Sequence, residues 1–82
     1  MFRLHAWDTQ AHALMESTDY MSLVPLEFIT KWHDSRYHIY MERFTVHSNH
    51  RWSYWLRPAH EWREYAEDQV PKMVRMAAML LG

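Results

Sequence analysis

The sequence predicts a small α+β domain in which an antiparallel β-meander of two to three strands packs on an N-terminal helix and a long or Pro-broken C-terminal helix. Three observations predict it. Tyr37 to His47 is dense in Tyr, Ile, Phe, Thr and Val, the residue types that fill strands. Trp52 to Leu56 is a second such run beyond the turn signal Ser48-Asn49, and a short connection makes the two antiparallel. Trp62, Tyr65, Ala66, Gln69, Met73, Met76, Ala77 and Leu80 then recur at helical spacing.

The remaining elements follow in order. Phe2, Leu4 and Ala6 alternate with Arg3 and His5, which reads as a short edge strand continuing to Trp7. Asp8 or Thr9 can cap a helix to about Ser17, with Ala11, Leu14 and Met15 inward and Ser17-Thr18-Asp19 as its stop. Leu26 to Trp32 alternates as a strand, with Leu26, Phe28, Thr30 and Trp32 on one face. The rival reading is a helix with Pro25 at its first position. His33 to Arg36 is a turn, and Pro58 sits near the start of the last helix with Glu61 and Glu64 in its early turns. Pro71 interrupts that helix, as a kink or as a junction near Val70.

Length and composition bound the function. The 82 residues form one domain, 1–82, with no repeat and no linker. A chain this short buries only about 60–65% of its unfolded surface, and with no Cys it has no disulfide to compensate. Five Trp, five Tyr, three Phe and seven Met supply large side chains for a core or an interface. The only Gly is Gly82, which excludes the P-loop, the dinucleotide-binding turn, the EF-hand loop and the nucleophile elbow. No stretch spans a bilayer and no signal peptide is visible, so a soluble cytoplasmic protein without membrane contact is expected. No cofactor is implied. The net charge is −1, but residues 36–63 hold five Arg and two Glu, while residues 1–35 hold two basic and five acidic groups.

Four constellations carry chemistry. If Tyr37, Ile39 and Met41 face the helices with Trp52, Tyr54 and Leu56, then His38, Tyr40, Glu42, Phe44 and Val46 point outward with Arg51, Trp55 and Arg57. That patch of His38, Tyr40, Phe44, Arg51, Trp55 and Arg57 is the expected binding site, because Trp, Tyr and Arg dominate binding hot spots. The bland alternative is a bulge near Arg43, or cover by the N-terminal segment, which turns these side chains into core. His47, His50 and the His60-Glu61 pair are possible zinc ligands without diagnostic spacing, so no metal is expected. His38 with Glu42 is the nearest thing to an acid–base pair, and a chain of this size offers little room for a pocket, so no catalysis is expected. Met73, Met76 and Leu80 form a stripe that serves as core or as a homodimer seam.

The expected function is a small protein-binding domain, an inhibitor or adaptor that occupies a partner protein's surface. The expected state is a monomer or a weak homodimer through the last helix. The alternative is a nucleic-acid-binding module, with bases stacked on Tyr40, Phe44 or Trp55 and phosphates held by Arg51 and Arg57. A net charge near zero speaks against it. The element order resembles small inhibitor and nucleic-acid-binding folds, and the make-up is similar to accessory proteins of viruses and mobile elements.

Overall fold

The structure, a computed structural model, describes residues 1–44 and 50–81. Val46, His47 and the Ser48-Asn49 turn of the sequence reading lie outside the described residues. Five strands form one antiparallel sheet: β1 (Phe2–Asp8), β2 (Ala13–Ser17), β3 (Tyr37–Phe44), β4 (His50–Leu56) and β5 (Glu61–Tyr65). Their order across the sheet is β2-β1-β3-β4-β5. A six-residue helix, α1 (Leu26–Lys31), covers one face, and α2 (Lys72–Leu81) covers the other. No helix among the described residues is long and apolar enough to cross a membrane.

This corrects the expected two- to three-strand meander with its N-terminal helix. Residues 13–17, expected as helix, are the edge strand β2, because Asp8 caps a tight loop instead of a helix. Its carboxylate accepts from the Gln10 and Ala11 backbone N–H groups at 2.9 and 3.0 Å. Trp62 to Gln69, expected as the first half of a long helix, is β5 followed by a 3₁₀ turn, Glu67–Gln69. In Glu61 to Tyr65 the two aromatics, Trp62 and Tyr65, are three apart, a spacing that breaks period-two alternation and fits one helical turn. Helix begins only after Pro71, whose carbonyl accepts from Val74 and Arg75. Leu26 to Lys31 takes the rival helical reading, entered through an extended Pro25.

β1 was expected at an edge and is an interior strand between β2 and β3, with all seven residues buried. Its two alternating sets feed two cores. Phe2, Leu4 and Ala6 pack with Phe28, Trp32, Ile39 and Met41 on the α1 side. Trp7 packs with Tyr40, Trp52, Val70, Val74 and Ala78 on the α2 side. A sheet covered on both faces makes both sets of an alternating strand apolar or paired, so alternation does not reveal which face is which.

The β3–β4 register differs from the one that a two-residue turn at Ser48-Asn49 implies. A two-residue turn at Ser48-Asn49 opposes His47 and His50, whereas the observed partner of His50 is Phe44. The difference is three residues, an odd slip, and an odd slip exchanges the faces of one strand relative to its neighbour. Tyr40 therefore opposes Tyr54 and Glu42 opposes Trp52.

Candidate binding surface

That register divides the patch expected from sequence between the two sides of the sheet. Tyr40 is 3% exposed, packed against Tyr54 and Tyr65 under α2. Burial raises its phenol pKa well above the ordinary range. His38 is half-buried on the same side, edge-on to Tyr54. Burial lowers its pKa, and the Arg57 charge adds to the effect. Phe44 stacks on His50 at the far end of the strand, still exposed. Arg51, Trp55 and Arg57 are on the α1 side instead. The correction is one of register: these six side chains do not form one surface.

Beneath α2 lies a buried polar clamp. Glu42 is 1% exposed and accepts from Arg3 Nε, from His5 Nε2 at 3.0 Å and from His50 Nε2 at 2.7 Å. Burial acts to raise the Glu42 pKa, and the three donors outweigh it, bringing it down to about 2. Arg3 also donates to the Ala78 carbonyl in the last turns of α2, where a cation meets the negative end of the helix. His5 completes the set through Nδ1 to Ser17 Oγ at 2.7 Å. Serine, histidine and glutamate in this order form a proton relay in some enzymes. Here the carboxylate is shared with Arg3 and His50, and the arrangement ties β1, β2, β3, β4 and α2 together. His38, the expected acid–base partner of Glu42, points into the tyrosine cluster rather than to that carboxylate. His50 and His60, two of the possible ligands, stand near opposite ends of β4 and are not brought together.

The α1 side is only partly covered. α1 lies over the β1 and β3 side chains, and beyond it β4 and β5 present Trp55 and Trp62, directly paired across the strands with ring centroids 5.0 Å apart. Both are half-buried. A hollow of about 220 Å³ opens on one side of the pair, lined by Ile29, His33, Trp55, Arg57 and His60. Another of about 230 Å³ opens on the other, lined by Arg43, Arg51, Ser53, Trp62 and Glu64. Both are smaller than the usual small-molecule site of roughly 300–1,000 Å³. They suit single side chains of a larger partner.

The cations around the tryptophans differ in duty. Arg57 donates to the carbonyls of Trp32, His33 and Tyr37, which closes the end of α1 onto β3 and shapes the first hollow. Arg51 reaches Glu64 at 3.5 Å. Arg43 stands directly opposite Arg51 across the strands, and both are exposed. Like charges placed opposite each other weaken a sheet. The sequence reading missed Trp62 and Arg43 as site residues, since Trp62 sat in a helical stripe. The pairing of Trp55 with Trp62 across the Arg57-Pro58-Ala59-His60 turn was the signal available.

No protein-family model, no curated protein and no solved structure matches the chain.

Proposed function

We propose that the chain is a small protein-binding domain that acts by occupying a partner protein's surface, with the Trp55–Trp62 ridge as its anchor. The observation that carries this reading is the pair of half-buried tryptophans on the part of the sheet that α1 leaves open, between two hollows and beside Arg43 and Arg51. Tryptophan and arginine are the residue types that dominate interface energetics. Of the expected patch, Arg51, Trp55 and Arg57 remain in this site; Trp62 and Arg43 join it.

The test is retention of a partner by the immobilised chain before and after nuclease treatment, repeated with Trp62→Ala. A discrete protein that survives nuclease and is lost with Trp62→Ala supports the reading. Recovery of nucleic acid alone overturns it in favour of a nucleic-acid-binding module. Glu61 and Glu64 on β5 and the net charge of −1 weigh against that outcome.

A further inference from the structure

The hollow beside Trp62 holds an arrangement that costs the fold. Arg43 on β3 and Arg51 on β4 are direct cross-strand partners, so both side chains rise from the same face of the sheet. Ser53, two residues on from Arg51, shares that face, and all three line the hollow of about 230 Å³ with Trp62 and Glu64. Two like charges set opposite each other weaken a sheet. Little offsets this pair. Arg51 reaches Glu64 at 3.5 Å, with both side chains more than half exposed, and such a pair contributes little in water. Arg43 meets no carboxylate among the described residues; its side-chain partner there is the Met41 sulfur at 3.5 Å, a weak acceptor. Arg57, on the far side of the ridge, differs: its donors are taken by backbone carbonyls.

We infer that Arg43, Arg51 and Ser53 form a subsite for a phosphomonoester, borne on a side chain of the protein that covers the Trp55–Trp62 ridge. Charge complementarity and donor count select that ligand. A guanidinium presents a fixed fork that matches carboxylate and phosphate oxygens. One fork satisfies a carboxylate, which has two oxygens and a single charge. A phosphodiester of a nucleic acid also keeps two free oxygens and a single charge. A phosphomonoester offers three oxygens to two forks and a hydroxyl, and its charge of about −1.5 to −2 at pH 7 matches the two arginines. Its arrival turns the Arg43–Arg51 repulsion into a shared attraction and displaces the weak Glu64 contact. The hollow, at about 230 Å³, admits the phosphate and its first linking atoms, and it is smaller than a site of roughly 300–1,000 Å³ for a whole small molecule. The rest of the ligand then lies on the surface beside it, which is Trp62. That the carrier is a protein rests on the proposed function; the phosphate subsite itself does not.

The subsite is tested on the whole chain with methyl phosphate as the probe, followed through the backbone amide resonances of Arg43, Arg51 and Ser53. Saturable shifts at these positions are expected, with dimethyl phosphate and acetate at least about tenfold weaker. Arg43→Gln and Arg51→Gln are each expected to weaken methyl phosphate about tenfold, the loss of one charge-assisted contact. Both positions are exposed, and Arg43→Gln, which relieves the repulsion, is expected to leave the urea midpoint unchanged or to raise it. Absence of saturable shifts overturns the subsite. Dimethyl phosphate binding as tightly as methyl phosphate also overturns it, and is the result that a nucleic-acid backbone site gives. The carrier has its own arm: a protein retained through Trp62 is expected to be lost when the extract is treated with phosphatase before capture. Retention that survives phosphatase overturns the phosphorylated carrier. Methyl phosphate binding with no protein retained overturns the proposed function and supports the subsite.

Discussion

Two hairpins of this molecule share a loop and differ in what lies over it. β1–β2 closes through Thr9-Gln10-Ala11-His12, and β4–β5 through Arg57-Pro58-Ala59-His60. Each loop ends in a histidine at positive φ, 52° at His12 and 50° at His60. Each histidine lies edge-on to the tryptophan five residues before it, Trp7 or Trp55. Glycine is the usual residue in that conformation, and none is available before Gly82. The loops are preorganised differently, by the Asp8 carboxylate in one and by the fixed φ of Pro58 in the other. The fates of the tryptophans diverge. Trp7 is 7% exposed in the core under α2, while Trp55 stays half-open beside Trp62. One local design therefore serves stability at one end of the sheet and leaves a surface at the other. What decides between them is the helix packed above.

The comparison is broken most severely at the clamp that exists only on the covered side. Glu42→Ala leaves Arg3 and His5 buried without their carboxylate and is expected to cost about 3–5 kcal/mol, read as a fall in the urea midpoint. Acid should act on the same group. Glu42 and Asp8 have ordinary pKa values of 4.5 and 3.8, and each is held at about 2 in the fold. For Asp8 the Arg36 guanidinium is the main cause. A carboxyl lowered by folding stabilises above its unfolded pKa and loses that contribution as pH falls to its folded one. The urea midpoint is therefore expected to fall between about pH 4.5 and 2 as these carboxyls protonate, after a smaller loss that sets in below about pH 6.5, where His38, held below its ordinary pKa by burial, resists protonation in the fold.

The tryptophans give the next contrast. Trp7→Ala empties a closed site and should cost about 3–5 kcal/mol of stability. Trp55→Ala removes a half-exposed ring and should cost about 1–2 kcal/mol, with partner binding falling by about 2 kcal/mol or more. Equal urea midpoints for the two variants would remove the distinction between the hairpins. The smallest effect belongs to the loops. His60→Gly relieves a positive φ but loses the edge contact with Trp55, so a net gain under about 1 kcal/mol is expected in thermal or urea unfolding. His12→Gly should behave alike if the loops are equivalent.

Sequence patterns disclosed the β3–β4 hairpin and the short strand at Phe2; for Leu26 to Trp32 they favoured a strand, and the structure takes the rival helix behind Pro25. They concealed much of the rest for definable reasons. A helix was expected at 9–17 because Ala11, Leu14 and Met15 match helical spacing, yet β2 is an edge strand too short to show clear alternation. Trp62 and Tyr65 are three apart, a spacing compatible with a helix as well as with a twisted strand. The face of each β3 side chain depends on the register with β4, and a register off by an odd number of residues exchanges the faces, which takes Tyr40 from surface to core. The clamp was invisible because Arg3, His5, Glu42 and His50 come from three strands and meet only when β1 is interior.

That interior placement has a consequence for how the molecule is made. Arg3 reaches the carbonyl of Ala78, a contact between residues 75 positions apart. An interior strand synthesised early must wait for β3 on one side, and its guanidinium must wait for α2. Folding dominated by such distant pairings is slow compared with that of helical bundles of the same size. While the ribosome is still at work, β1 emerges with an arginine and a histidine that have no carboxylate to meet. The fold can close only once the helix that follows Pro71 has left the exit tunnel.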